Sequence, residues 1–264
     1  MAKRARLIDV GFIAVVPLVI LGVYALPYAV RVEYVLYYGD PTVLTAYTSQ
    51  FVHLSPGHLL INLVYYVLVV PTIYLYWTIA GRRKTFFAIF TVIMVAFPFL
   101  LSWVNLSLVR DRFGYGFSGV NAAFLGTLPL ALMAYLRTEF EIDVSLADAP
   151  YYFFVGVALI AGLSLGLSKW SLSVGLLALG GALLYGEEFV PTLVSRAVLR
   201  QWLRKSGFGE LAAIGHLLFF LFPFLAFPVL PGIETPLANY FIHLIGFSLG
   251  FLAPFVTLTA VDIH

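Results

Sequence analysis

Long apolar runs separated by short polar punctuation dominate the chain. Runs of bilayer length cover residues 10–30, 58–79, 85–105, 117–136, 151–168, 211–230 and 237–259; a spanning helix needs about 20 such residues. Residues 171–186 form an eighth, shorter run. Lys169 and Trp170 stand just before it, and a polar residue beside an interfacial aromatic predicts a tight turn that pairs runs 151–168 and 171–186 as a hairpin. The first run follows the basic start Met1 to Arg6. At roughly 20 residues it exceeds the 7–15 of a secretory signal core, so it reads as a retained anchor.

The distribution of positive charge tests the count. With the N-terminus cytoplasmic and eight spans, the inner side receives Lys3, Arg4, Arg6, Arg82, Arg83, Lys84, Arg137, Arg196, Arg200, Arg204 and Lys205. Only Arg31, Arg110, Arg112 and Lys169 fall outside. Dropping the short run would turn the basic loop 187–210 outward, against the retention of positive charge inside. The expectation is an all-α polytopic membrane helix bundle of eight spans, a single domain over residues 1–264, with both termini cytoplasmic.

Composition agrees: 62% of the 264 residues are hydrophobic, 11% are charged and mean hydropathy is +0.99. A net charge of +2 is too small to point to nucleic acid, and the absence of cysteine removes disulfides and thiolate chemistry. No Asp lies in the middle of a predicted span and no HExxH occurs, which argues against aspartyl and zinc-dependent sites of those types. Glu187-Glu188 lacks the arginine that an EExxxR motif needs.

Polar chemistry remains at three helix heads. Ser55-Pro56-Gly57 predicts a helix start that puts His58 in the first turn with Asn62 one turn later on the same face. Both side chains can donate hydrogen bonds, as an oxyanion hole requires or as ordinary interhelical pairing would use. Ser118, after Phe113-Gly114-Tyr115-Gly116-Phe117, begins its helix, so its N–H has no intrahelical partner and sits at the positive end of the helix dipole. A membrane serine ordinarily bonds back to a carbonyl one turn earlier, but a first-turn serine has little helix behind it. His243 is followed on one face by Gly246 and Gly250, while Ala122 and Gly126 follow Ser118. Two small-residue faces allow close helix approach, either as plain packing or to bring a hydroxyl to an imidazole.

These residues resemble the rhomboid family of intramembrane serine proteases. The resemblance covers Thr48 to His53 and on to Asn62, the GxSG of Gly116 to Gly119 with Gly126 downstream, and HxxGxxxG from His243 through Gly246 to Gly250. It implies Ser118 as nucleophile and His243 as general base, a dyad without an orienting carboxylate. It further assigns His58, Asn62 and the Ser118 N–H to an oxyanion hole with His53 in support, and Gly116, Gly119, Ala122, Gly126, Gly246 and Gly250 to close packing around the site. No metal or organic cofactor is implied. The implied partners are transmembrane protein substrates in a cell membrane, cleaved in or next to their spans. The long interval between Ser118 and His243 implies a six-helix core with two added helices, assigned to 151–186. The aromatic-rich run 211–230, with Phe219, Phe220, Phe222, Phe224 and Phe227, is then the expected gate. Two departures stand out. The loop 31–50 lacks the Trp-Arg pair common in the family and offers Tyr34, Tyr37 and Tyr38, and Ala122 occupies a position where several members carry a tyrosine. An inactive rhomboid-like protein that binds or escorts membrane clients is the alternative, and a transporter using His53, His58 and His243 is a weaker one because no paired half-helices are evident.

Overall fold

A computed structural model describes residues 6–107, 113–165, 169–226 and 240–262. Its helices are α1 (Leu7–Tyr24), α2 (Tyr28–Glu33), α3 (Val43–Thr48), α4 (Pro56–Ile79), α5 (Arg83–Ser107), α6 (Ser118–Phe140), α7 (Pro150–Leu165), α8 (Lys169–Leu193), α9 (Arg196–Arg204), α10 (Phe208–Ala226) and α11 (Tyr240–Asp262). Two short strands, β1 (Leu36–Tyr37) and β2 (Phe113–Gly114), pair antiparallel. Among the described residues, seven helical segments are long and apolar enough to cross a bilayer, within α1, α4, α5, α6, α7 with the turn before it, α8 and α11. The protein is therefore a multi-pass membrane helix bundle. A count of eight depends on taking α9 and α10, which meet at 116°, as one broken span.

Several local expectations meet a different structure. The short run 171–186 belongs to a helix of 25 residues that continues past exposed Glu187 and Glu188 to Leu193. Lys169 and Trp170 are its first residues, not a turn. Polar residues mark where a helix leaves the apolar slab, which is not where its backbone hydrogen bonding stops. For the same reason the polar segment 187–210 is largely helical, holding the end of α8 and all of α9.

Helix α6 is the axis of the bundle and is buried along its whole membrane-length window. Helices α4 and α11 make its most extensive contacts, with α5 and α10 completing the wall. Helix α11 runs parallel to α6 at backbone contact. A Cβ built on Gly246 would lie 2.3 Å from the Gly119 carbonyl oxygen, one on Gly250 2.1 Å from that of Ala123, and one on Gly126 2.2 Å from that of Phe247. No side chain fits in these gaps, so glycine is what allows the two backbones to touch.

The other helices pack outward from this pair. Phe153 of α7 stacks on Phe251 of α11 at 4.8 Å, and the Tyr152 hydroxyl lies 2.7 Å from His216 Nε2 of α10. Helix α8 packs on α7 from outside, with Gly181 against the Phe154 ring and Gly186 against Tyr151. Of the residues expected to form a gate, Phe219 and Phe222 are buried, Phe222 lying 4.1 Å from Tyr65 between ring centroids, while Phe220 and Phe224 are exposed. Phe227 lies outside the described residues. Asp9 of α1, buried despite its place near the helix start, accepts from Arg83 Nε at 2.6 Å, from Arg83 Nη2 and from the Tyr74 hydroxyl at 2.7 Å, which pins α1 to the α4–α5 turn.

The glycine contact has a test with a built-in control. Gly126→Ala and Gly250→Ala are expected to destabilise the bundle by about 1–3 kcal/mol through overpacking. Gly175→Ala, where nothing lies within 4 Å, is expected to be neutral or slightly stabilising because alanine favours helix. Thermal unfolding of the three purified variants in one detergent distinguishes these signs.

Candidate active site

Ser118 is the first residue of α6 and is half-buried. Neither its hydroxyl nor its N–H makes a hydrogen bond to any described residue, in keeping with the unsatisfied donors of a first helical turn. The approach to it is bent by Gly116, whose φ of +104° suits glycine and whose N–H donates to the Ser49 carbonyl at 2.9 Å. A Cβ at Gly116 would lie 2.3 Å from His58 Cε1. Gly116 is thus not a helix-packing residue, as the sequence led us to expect; it makes room for an imidazole two residues before the serine.

His58 and Asn62 lie as expected in the first two turns of α4, where the Ser55 hydroxyl caps the helix by accepting from the His58 N–H at 3.4 Å. The His58 ring stands edge-on to Tyr115 at 5.5 Å and 5.0 Å from the His53 ring. Asn62 is buried, and its Nδ2 donates to the His58 carbonyl at 2.9 Å. Its second amide hydrogen is left for another acceptor.

The orientation of that amide comes from a residue not singled out in the sequence. Asn121, one turn into α6 and buried, donates from Nδ2 to both the backbone carbonyl of Asn62 at 3.0 Å and Asn62 Oδ1 at 3.1 Å. An occupied Oδ1 fixes the flip of the Asn62 amide, with its Nδ2 turned to the His58 carbonyl at the start of α4. A signal existed: Asn121 follows Ser118 by three residues, a spacing that keeps both near one face.

His53 is fully buried. Its Nδ1 pairs with the Phe51 carbonyl at 3.3 Å, and its own carbonyl accepts from Arg31 Nη1. Burial pushes its imidazole down to about 3, with repulsion from His58 and Arg31 adding to the shift and the Phe51 carbonyl opposing it. It is neutral at physiological pH. With Nδ1–H donated to Phe51, Nε2 is an acceptor, and among the described residues it has no hydrogen-bond partner. Arg31, a second residue the sequence reading passed over, is itself buried with its guanidinium 4.4 Å above the Tyr24 ring.

His243 lies in the first turn of α11 and is buried. Ile242 beside it touches the Cβ position of Gly119 at 2.8 Å, and Gly246 one turn later faces Gly119 and Ala122. These contacts put His243 at the level of Ser118 across the interhelical seam, within electrostatic range of His58. No hydrogen bond joins Ser118 to His243. Among the described residues, no group of three or more His, Asp or Glu side chains is arranged to hold a metal ion.

Comparison with known protein families, with characterised proteins and with solved structures gives no match. The site therefore stands on its geometry and on the motifs themselves.

The depressed basicity of His53 has a measurable consequence. Its folded value lies below the unfolded 6.5, so its contribution to stability is complete above about pH 6.5 and is lost as pH falls towards 3. The stability of the parent relative to His53→Gln should fall across that window. Melting curves of both proteins at a series of pH values check it, and a constant difference would contradict it.

Proposed function

We propose that the protein is an intramembrane serine endopeptidase of the rhomboid type, hydrolysing peptide bonds in or next to the transmembrane segments of other membrane proteins. The observation that carries this reading is the seam between α6 and α11, which sets a helix-heading serine and a buried histidine at one level. In this reading α10 makes the eighth span with α9 in the loop before it, both termini are cytoplasmic and the protein resides in a cell membrane.

In this reading the steps are those of a serine nucleophile with a histidine base. Ser118 Oγ attacks the scissile carbonyl carbon while His243 accepts its proton. The carbonyl electrons move onto oxygen, to which the Ser118 N–H, the remaining Asn62 amide hydrogen and His58 would donate. Collapse of the tetrahedral intermediate breaks the C–N bond as His243 returns the proton to the leaving amine. Water, activated by the same imidazole, then releases the acyl group from Ser118. Ala122, which lies 3.5 Å from the Cβ position of Gly246 and offers no ring to hold His243, favours a second reading, an inactive relative that binds membrane clients.

Fluorophosphonate labelling and cleavage of a transmembrane reporter separate the two. Activity is expected to be lost in Ser118→Ala and His243→Ala, and equal labelling of Ser118→Ala and the parent would remove the nucleophile assignment. Asn121 supplies a finer test. In Asn121→Asp a carboxylate accepts from the Asn62 amide and turns its donor away, so kcat should fall by about 100-fold, the worth of one oxyanion donor. Asn121→Val merely frees the amide, so the expected loss is smaller. Equal kcat in both variants would show that Asn121 does not orient Asn62.

A further inference from the structure

The helix α9 lies at the end of the bundle away from Ser118 and diverges from α10 by 116°. Ser195 caps it, accepting from the Val198 N–H at 3.3 Å. Val198 is buried and Trp202 half-buried, the Trp202 ring lying 6.1 Å from Phe140 and 5.5 Å from His216. This face holds α9 to the bundle.

At 100° per residue, Leu199 and Leu203 come next around the helix, then Arg196, Arg200 and Arg204. Leu203 is 86% exposed and Leu199 45%. All three arginines are exposed, and α9 contains no acidic residue. The adjacent Lys205 is already engaged, donating to the Glu139 carbonyl and pairing with the Glu139 carboxylate at 3.5 Å. The free face of α9 thus carries two stripes, leucine next to the face packed on the bundle and guanidinium beyond it. Water on both stripes leaves the leucines with no cover, whereas a membrane interface matches each stripe in turn.

We propose that α9 lies in the membrane surface, with Leu199 and Leu203 in the acyl region and Arg196, Arg200 and Arg204 on the phosphates of anionic phospholipids. Charge complementarity selects that lipid class. Three guanidiniums on one stripe, with no carboxylate on the helix, favour a negatively charged leaflet over a zwitterionic one. The inference does not depend on the chemistry of Ser118.

The cysteine-free chain makes the test direct. Single cysteines at Leu203 and at Gln201, on the opposite side of α9, would be spin-labelled in the full-length protein in nanodiscs of phosphatidylcholine with phosphatidylglycerol. The Leu203 label should collide with dissolved oxygen and the Gln201 label with an aqueous nickel complex. Equal exposure of both to nickel would overturn the proposal, and is also the result expected if an acidic soluble protein covers the arginines instead. Separately, the ratio of phosphatidylglycerol to phosphatidylcholine retained on purification should fall by about twofold or more in the Arg196→Gln, Arg200→Gln, Arg204→Gln triple variant. An unchanged ratio in a triple variant with parent-like melting would refute the lipid selectivity, and the label at Leu203 reads depth with all three arginines intact.

Discussion

Backbone contact between α6 and α11 is the constraint on which the rest of the structure depends. In lipid, the hydrophobic effect does little to bring helices together, so close approach must come from van der Waals packing and from hydrogen bonds that hydrocarbon cannot replace. Gly119, Gly126, Gly246 and Gly250 allow that approach along a seam several turns long. Once it exists, α4, α5 and α10 can enclose α6, and α6 can carry an unusually polar beginning because none of it faces acyl chains.

Around the head of α6, polar side chains are positioned chiefly by backbone groups. Ser49 holds Gly116 through its carbonyl, Phe51 holds the ring of His53, and Arg31 holds the carbonyl of His53. Each link spares a polar group from burial without a partner, which in a low-dielectric setting costs more than in water. The paired strands β1 and β2 join the loop after α2 to the segment leading into Ser118, so that segment is braced from two sides. The proposed proteolysis uses this scaffold as a set of fixed donors.

Much of this was legible because particular chemistry has a short reach in sequence. Pro56 after Ser55 announces the start of α4, and the three- and four-residue spacings of small residues announce the seam. Asn121 was overlooked because its role depends on Asn62, which is near only after folding. Arg31 entered only the count of basic residues on the outer side, because sequence does not reveal that Tyr24 and the His53 carbonyl surround it. The length of α8 escaped a hydropathy reading because Glu187 and Glu188 end the apolar slab while their backbones continue the helix. Gly116 matched a motif, yet its reason, an imidazole where a Cβ would be, is visible only in three dimensions.

The Gly246 and Gly250 contacts have a consequence for heat. Most interhelical spacings in a bundle are set by side chains, whose rotamers become more populated as temperature rises and let helices drift. A seam of glycine against carbonyl oxygen has no rotamers to populate. Warming should therefore loosen the periphery, α8 and α1 among it, before it changes the distance between the heads of α6 and α11, leaving the register of the site as the last geometry to melt.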